Sequence, residues 1–372
     1  MGMQYEKYLK GYSNSISRWL RFGPYYAMFP MEFAFDVIEN YSDPGDYILD
    51  PFFGRGTSIV AASVLNRKSL GIEINPLGWL YTKTKLNPAS SANVLRRLEE
   101  IDLLSKNNQK YLKDLPQYFR MCFCDDVLKF LISARSDLNW RKSKVDSTLM
   151  SFILVYLHGK IGEGLSNQLR MTKSMGYNYS IEWWKKNGFE SPPKIDPVEF
   201  LIKRIDWRYD KGKPKLNHHE IHLADSSKYL DKIVSRGNTS KYSLLFTSPP
   251  YWSITNYHTD QWLRMWLLGG EMTPKSITDD YRGRFLSKQK YSELLNKVFS
   301  ASAKLLKRKS IVYIRTDARK FTFDTTKDLL LKYFPNHKQK IRLQPFLSKT
   351  QTELFGDKSK KPGEVDIIMI GK

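Results

Sequence analysis

The sequence predicts an α/β fold in which a doubly wound sheet is interrupted by a mostly helical insertion. Two short apolar runs, YILDPF at 47–52 and SLGIEINP at 69–76, flank a glycine turn and a helix-like segment of small and branched residues. A strand, a crossover helix and a second strand within about thirty residues begin a parallel sheet. The alternation stops between about 85 and 220 and then resumes. It ends with the apolar run IIMI, which we expect to be a strand of the same sheet.

The remaining elements follow from apolar spacing and turn residues, in chain order. Residues 31–40 (MEFAFDVIEN) have apolar side chains at helical spacing, and the SDPGD sequence after them ends the helix. Polar and basic stretches with scattered aromatic residues favour helices in the insertion. Beyond it we expect strands and helices over the segments 220–234, 242–252, 290–307, 310–316, 324–333, 338–346 and 363–372.

The charge balance points to a polyanionic partner. Sixty Lys and Arg against 38 Asp and Glu give a formal net charge of +22, spread along the chain. Such an excess favours nucleic acid first, and a merely basic protein without such a partner is the alternative. No run of eighteen apolar residues occurs, and the first twenty residues lack the apolar centre of a secretory signal. We therefore expect a soluble, cytoplasmic protein.

The cysteines and histidines do not predict a metal site. Cys122 and Cys124 are the only cysteines in the sequence, and one pair supplies too few ligands for structural zinc. We expect them to be buried thiols in a reducing compartment. His218, His219 and His222 match no common metal-binding spacing. The sequence therefore predicts no metal.

The segment DPFFGRGT, residues 50–57, predicts a cofactor site at the first strand-to-helix turn. Gly54 and Gly56 allow a ligand to approach the backbone, and the N-terminus of the following helix is electropositive. Glu73 follows the aspartate of this segment by 23 residues, at the end of the next predicted strand. An acid there can hold both hydroxyls of a ribose. A dinucleotide fingerprint would have a third glycine where Ile59 stands, and an ordinary tight turn with a solvated acid is the alternative.

A second motif, TSPPYW at residues 247–252, follows another apolar strand. Proline cannot donate to a sheet ladder, and it disfavours the helical conformation in the residue before it. The strand therefore stops at Ser248, and a rigid, extended segment follows. The carbonyl oxygens of Ser248 and Pro249 then point either to water or into a site. A stiff turn with a hydrophobic anchor is the alternative interpretation.

These motifs resemble those of a known family. The patterns D-P-F-x-G-x-G-T, G-I-E-I-N-P and T-S-P-P-Y are similar to the AdoMet-binding and catalytic motifs of DNA amino-methyltransferases. The similarity covers about 25–80 and 222–257, and a weaker similarity covers 310–372. It implies a Rossmann-like, AdoMet-dependent methyltransferase sheet, with S-adenosyl-L-methionine (AdoMet) as the cofactor.

The resemblance also implies a set of cofactor-binding residues. Phe29 and Pro30 are expected to border the methionine end of AdoMet. Asp225 is expected near the adenine amine, with a surface turn as the alternative. The full set is Phe29, Pro30, Asp50, Pro51, Phe52, Gly54, Gly56, Thr57, Glu73 and Asp225.

Catalysis is assigned by the same resemblance to Ser248, Pro249, Pro250 and Tyr251. Oxygens of Ser248 and Pro249 would accept hydrogen bonds from the exocyclic amine, and Tyr251 would stack on the flipped base. The Ser-Pro-Pro-Tyr form is associated mainly with cytosine-N4 enzymes. The alternatives are adenine-N6 methylation, RNA or protein-glutamine methylation, and a non-catalytic DNA-binding protein. Cytosine-C5 chemistry is not expected, because neither cysteine follows a proline.

The implied organisation has three parts. These are an N-terminal segment with the AdoMet-binding half (1–84), a helical insertion for target recognition (85–220) and a catalytic half (221–372). The resemblance implies double-stranded DNA as the partner and leaves open a cognate restriction endonuclease. Several polar and basic side chains are of the types that contact bases and phosphates, although a solvated polar surface has the same composition. The candidate DNA contacts are Asn167, Gln168, Arg170, Lys173, Arg264, Arg282 and Arg284.

Overall fold

A computed structural model describes residues 5–24, 29–107, 112–171, 174–237, 239–252, 257–274, 287–344 and 363–372. The strands are β1 (Tyr47–Asp50), β2 (Lys68–Glu73), β3 (His219–Leu223), β4 (Tyr242–Thr247), β5 (Leu306–Asp317), β6 (His337–Gln344) and β7 (Glu364–Gly371). The helices are α1 (Glu6–Leu9), α2 (Ser15–Leu20), α3 (Met31–Tyr41), α4 (Thr57–Val64), α5 (Pro76–Leu86), α6 (Ser91–Ser105), α7 (Gln117–Cys122), α8 (Asp125–Asp137), α9 (Lys144–Tyr156), α10 (Tyr177–Lys186), α11 (Pro197–Tyr209), α12 (Ser226–Ser235), α13 (Tyr257–Asp260), α14 (Trp262–Leu267), α15 (Lys288–Leu305) and α16 (Lys320–Tyr333).

The strands form one sheet in the order β3-β2-β1-β4-β5-β7-β6. The pairs from β3 to β5 are parallel, whereas β7 runs antiparallel between β5 and β6. The chain builds outward from β1 to β3 on one side and then restarts at β4 on the other side of β1. The predicted α/β class and doubly wound sheet are therefore confirmed.

The two faces of the sheet bury alternate residues of each strand, as a period of two requires. Leu245 and Val312 belong to the core cluster that includes Leu230 and Phe299, on helices α12 and α15. Their neighbours Phe246 and Tyr313 face the opposite way, where Phe33 of α3 contacts both rings edge-on. Helices consequently cover both faces of the sheet.

The chain separates into two compact units. The sheet unit consists of residues 29–74, 218–255 and 277–372, and the helical unit consists of residues 1–28, 75–217 and 256–276. The predicted three-part division had set boundaries after 84 and after 220. In the structure, the N-terminal segment and the residues after the second motif group with the helical insertion.

Aromatic packing explains why the N-terminal segment joins the helical unit. Trp19 contacts Phe152 and Tyr209 edge-on, with ring centroids 6.0 Å and 5.1 Å apart. Gly23 lies directly on the ring of Tyr81, because a Cβ at this position would be 2.6 Å from a ring carbon.

Within the described ranges, no helix is both long and apolar enough to cross a membrane.

The two cysteines lie at helix ends in the helical insertion. Cys122 is the last residue of α7, and Cys124 is the residue before α8. Cys122 is fully buried, as expected, and burial raises the pKa of its thiol. Cys124 is only half-buried.

Candidate active site

The candidate site lies at the carboxyl ends of β1 and β4, where the order in which the chain adds strands to the sheet reverses. These strands are neighbours, with Ile48 opposite Leu244 and Leu49 opposite Leu245. The segments that follow them turn away to build opposite halves of the sheet. Open α/β sheets bind ligands in the crevice at such a switch point. Both sequence motifs therefore leave the sheet side by side.

Asp50 connects the two motifs directly. One carboxylate oxygen accepts hydrogen bonds from the hydroxyl of Thr247 at 2.6 Å and from the backbone N–H of Phe52 at 3.1 Å. The other oxygen accepts a hydrogen bond from the hydroxyl of Ser58 in α4. Burial raises the pKa of Asp50 to about 6, although these three donors oppose the shift. The carboxylate of Asp50 thus connects the ends of β1 and β4 by hydrogen bonds.

The glycine turn and Glu73 form the next part of the site. Gly54 and Gly56 have φ values of +55° and +75°, in the left-handed region that favours glycine. The backbone N–H of Gly54 donates to Glu73 at 2.7 Å, and that of Ile74 donates to the other carboxylate oxygen at 2.9 Å. Thr57 is buried at the start of α4. Each carboxylate oxygen has more than one lone pair and can accept more than one hydrogen bond.

Asp225 and its neighbours border the same edge of the sheet. The hydroxyl of Ser226 donates to the carbonyl oxygen of Pro51, and the N–H of Ala224 donates to the carbonyl oxygen of Glu73 at 2.9 Å. Asp225 itself caps α12, because its carboxylate accepts from the N–H of Ser227 at 2.9 Å. The helix-capping role accounts for an acid here, and it holds Asp225 beside the glycine motif.

Two aromatic positions of the predicted cofactor set are packed against the sheet unit. Phe29 stacks on Phe246, with parallel rings and centroids 4.8 Å apart. Pro30 is exposed and immediately precedes α3, where its fixed φ suits a helix start. Phe52 is partly buried against the core. Phe53, which was not in the predicted set, is buried in the core.

The Ser-Pro-Pro-Tyr segment is held at its aromatic end. The hydroxyl of Ser248 donates to the hydroxyl of Tyr251 at 3.4 Å, and Tyr251 donates to Glu364 at 2.9 Å. Pro249 is buried, and the other three residues of the segment are half-buried. Among the described residues, no backbone hydrogen bond uses the carbonyl oxygens of Ser248 or Pro249.

Sequence reasoning missed the residues that support Tyr251 from β5 and β7. Glu364 and Asp366 are alternate residues of β7, and Arg315 lies opposite Asp366 on β5. Arg315 forms two hydrogen bonds with Asp366, at 2.6 Å and 2.8 Å. The signal was present, because two acids at a spacing of two occur in the otherwise apolar run EVDIIMI. Buried acids of this kind require cationic or hydrogen-bonding partners.

Trp252 continues the segment into an aromatic contact. Its ring meets Phe321 edge-on at 5.3 Å, and the Nζ of Lys288 lies 5.4 Å from its centroid. Arg319 donates to its carbonyl oxygen at 2.5 Å. These contacts anchor Trp252 on α15 and α16.

Two of the predicted DNA contacts are corrected by the structure of the helical unit. Asn167 is fully buried and donates to the carbonyl oxygens of Met121 at 3.0 Å and Phe189 at 2.7 Å. Arg264 is also fully buried, and its guanidinium donates to the carbonyl oxygen of Leu154 at 2.8 Å and to Gln261 at 2.6 Å. Both side chains use their donors on groups inside the helical unit. They therefore stabilise this unit rather than contact a ligand.

The other predicted DNA contacts differ in exposure. Gln168 is half-buried and accepts a hydrogen bond from the N–H of Ile161 at 3.0 Å, whereas Arg170 is exposed. Lys173, Arg282 and Arg284 lie outside the described residues. Across the described ranges, no three His, Cys, Asp or Glu side chains come together so that they could hold a metal ion.

Comparisons with known proteins agree with the motifs. A family model described as DNA methylase matches residues 4–77. The Type II methyltransferase M.MthZI of Methanothermobacter thermautotrophicus is 34% identical over 92 residues, covering 24% of this chain and 26% of that protein. M.XycI of Xanthomonas campestris pv. cyanopsidis is 44% identical over 74 residues, covering 20% and 24%. The aligned segments thus span about a quarter of the length of these relatives.

The solved structures add little to this result. An rRNA methyltransferase, AviRa from Streptomyces viridochromogenes, aligns with 100% of this chain and 94% of its own, at 11% identity and a TM-score of 0.35. A score this low supports no conclusion about function. The sequence matches are stronger, and they show that these segments of the chain are similar to DNA methylases and to Type II methyltransferases.

Proposed function

We propose that this chain is an AdoMet-dependent DNA methyltransferase that acts on the exocyclic amine of a flipped base, with cytosine N4 as the preferred target. The observation that carries the proposal is the hydrogen bond between Thr247 and Asp50, which joins the ends of β4 and β1. Because of it, the glycine motif and the Ser-Pro-Pro-Tyr motif lie at one crevice of the sheet unit. A methyl donor and a methyl acceptor must meet at such a place.

The residues at the crevice fit AdoMet. Glu73 is a carboxylate at a strand end, held by two main-chain donors, and an acid at this position suits the two hydroxyls of a ribose. The turn at Gly54 and Gly56 allows a ligand to approach the backbone in front of α4. Asp225 provides an acid beside this turn for the adenine amine. When bound, AdoMet supplies an electrophilic methyl group on a sulfonium.

The Ser-Pro-Pro-Tyr segment would orient the acceptor amine. The exocyclic nitrogen of cytosine or adenine is a poor nucleophile, because its lone pair is delocalised into the ring. The carbonyl oxygens of Ser248 and Pro249 can accept the two N–H bonds of this amine and aim the lone pair away from the ring plane. Two prolines keep these acceptors fixed, so little reorganisation is needed during methyl transfer.

Tyr251 would hold the target base by stacking. The amine cannot be reached inside the duplex, so the base has to leave the stack and find a new aromatic partner. The hydrogen bonds from Ser248 and to Glu364 meet at the Tyr251 hydroxyl, at the far end of the ring from the backbone. They leave the face of the ring as the surface for stacking.

The preference for cytosine N4 rests on the serine of the motif, and adenine N6 is the second candidate. A net charge of +22 supports a long polyanionic substrate. The similarity to Type II methyltransferases supports a place in a restriction-modification system, with a cognate endonuclease as the expected partner.

A methyl-transfer assay tests the proposal. The purified chain, tritiated AdoMet and unmethylated plasmid DNA should give labelled DNA, and the same assay with RNA should give much less. Sequencing of genomic DNA from an expressing host should then detect N4-methylcytosine at a defined sequence. Detection of N6-methyladenine alone would change the target base. Absence of label in DNA with saturating AdoMet would contradict the function.

A further inference from the structure

Tyr251 is held by a residue that lies far outside its own motif. Its hydroxyl donates to Oε1 of Glu364, 2.9 Å away and 113 positions later in the chain. Glu364 is the first residue of β7, and the side chain is partly buried. The segment that would stack on the base is thus anchored to the antiparallel strand of the sheet.

Glu364 is itself fixed by charged neighbours. The other carboxylate oxygen, Oε2, lies 3.6 Å from Nη1 of Arg315. Arg315 is held in turn by two hydrogen bonds to Asp366, which is fully buried, and by the ring of Phe33, whose centroid is 3.3 Å from the guanidinium carbon. A salt bridge with planar, bidentate geometry is a rigid support. Glu364 is therefore preorganised to receive the tyrosine hydroxyl.

The direction of the hydrogen bond is also defined. Burial and the Glu364 carboxylate raise the pKa of Tyr251 well above its usual value, so the phenol keeps its proton and donates. Burial opposes the charge of Arg315, but Asp366 and Glu364 raise its pKa, so it stays cationic. A neutral donor, a carboxylate acceptor and a guanidinium behind it form one stable arrangement.

We propose that Glu364 is a positioning residue, which fixes the position of the Tyr251 ring so that the ring meets the extruded base. The inference rests on the proposed function, because it assumes that Tyr251 stacks on the target base. A tyrosine ring attached only through its backbone can rotate about two side-chain bonds. The hydrogen bond at the far end of the ring fixes the hydroxyl, which lies on the axis of the second bond, and so restricts rotation about the first bond before the base arrives.

Four variants and one control test this role. Glu364→Ala removes the acceptor, Glu364→Gln keeps an acceptor oxygen without the charge, and Tyr251→Phe removes the donor. The fourth variant combines Tyr251→Phe with Glu364→Ala. The control is Tyr333→Phe, which removes a hydroxyl that donates to Asn296 at 2.6 Å and does not belong to the network that holds Glu364. Thermal unfolding confirms that each variant folds.

Kinetics on unmethylated plasmid DNA give the first result. We expect Glu364→Ala to lower kcat by about tenfold to a hundredfold, as for the loss of one charged hydrogen bond, with an unchanged Kd for AdoMet. Glu364→Gln should recover most of this loss, and Tyr333→Phe should keep the wild-type kcat. In the Tyr251→Phe background, Glu364→Ala should cost less than about threefold, because the two groups act through one bond.

Tyrosine ring motion gives a second result that does not depend on activity. In protein labelled with ¹³C at the tyrosine rings, the resonance of Tyr251 is assigned by its disappearance in Tyr251→Phe. The order parameter of the ring should be high in the wild type and in Tyr333→Phe, and lower in Glu364→Ala.

The outcomes separate this inference from the proposed function. An active wild type with a Glu364→Ala variant of equal kcat and equal ring motion would overturn the positioning role. Equal losses from Glu364→Ala in both backgrounds would overturn it as well. A wild type without methyl-transfer activity would overturn the proposed function, and the ring motion would still decide whether Glu364 holds Tyr251.

Discussion

The hydroxyl of Thr247 lies 2.6 Å from a carboxylate oxygen of Asp50, and this hydrogen bond connects the ends of the two central strands where the candidate active site begins. The same strands have a second connection at their other end. There, the hydroxyl of Ser243 donates to Asp46, also at 2.6 Å. The second pair is partly exposed and distant from the motifs, whereas the first is buried beside them. The two bonds are therefore a matched pair for separating stability from function.

Thr247→Val should lower both stability and turnover. The variant keeps the shape of the side chain but leaves a buried acceptor on Asp50 without one of its donors, at a cost of about 1–3 kcal/mol. Because Thr247 directly precedes Ser248, we expect a shift of the catalytic segment and roughly a tenfold lower kcat/KM. Ser243→Ala should cost about 1 kcal/mol and leave kcat/KM unchanged. Chemical denaturation and steady-state kinetics measure both effects, and equal kinetics in the two variants would contradict the coupling.

Asp50→Asn should change how stability depends on pH. Burial raises the pKa of Asp50 from its usual 3.8 to about 6, so the folded state binds one more proton than the unfolded state between these pH values. Stability from this group is therefore lost as pH rises from about 4 to about 6, by about 3 kcal/mol in total. Asp50→Asn has no proton to lose, so the stability of the wild type relative to this variant should fall between about pH 4 and 6 and then stay level. A constant difference over this range, measured by denaturant unfolding, would argue against a raised pKa.

The sequence predicted the sheet better than it predicted the positions of individual polar side chains. The glycine motif and the strand before Ser248 carry strong local signals, so their elements and their meeting point followed from chain order alone. The buried positions of Asn167 and Arg264 could not be predicted from the sequence. The type of a polar residue does not indicate whether it faces solvent or donates to buried carbonyl groups. Glu364 was missed for a related reason. Its partner Tyr251 is remote in sequence, and only the strand order β4-β5-β7 brings them together.

Glu73→Ala should weaken the binding of AdoMet without changing how the target base is bound. The variant removes the proposed ribose acceptor and also the hydrogen bonds from the N–H groups of Gly54 and Ile74. We expect the Kd for AdoMet to rise by about tenfold or more, with a smaller change in kcat at saturating cofactor. Glu73→Gln keeps one acceptor oxygen, so its Kd for AdoMet should lie between those of the wild type and Glu73→Ala. Isothermal titration measures the affinity, and an unchanged Kd in Glu73→Ala would remove Glu73 from the cofactor site.

Tyr251→Ala should have the opposite pattern. Without the ring there is no partner for the extruded base, so kcat should fall by about tenfold to a hundredfold, as for the loss of one stacking partner. The Kd for AdoMet should be unchanged, because Tyr251 is not among the proposed cofactor contacts. Single-turnover kinetics with plasmid DNA and titration with AdoMet give the two values. Wild-type turnover in this variant would contradict the stacking role.

Buried and exposed basic residues of the helical unit should respond differently to substitution. Arg264 is fully buried and supports the carbonyl oxygen of Leu154, so Arg264→Ala would leave polar groups without donors and should destabilise the protein by about 3 kcal/mol or more. Arg170 is exposed, so Arg170→Ala should change stability by less than about 0.5 kcal/mol.

If Arg170 contacts a phosphate, the same variant should weaken DNA binding and reduce the slope of log K against log salt by about 1. Fluorescence anisotropy between 50 and 200 mM salt measures this slope, with Lys203→Ala, an exposed helical site paired with Glu199, as the control. An unchanged slope in Arg170→Ala would show that this side chain is only solvated.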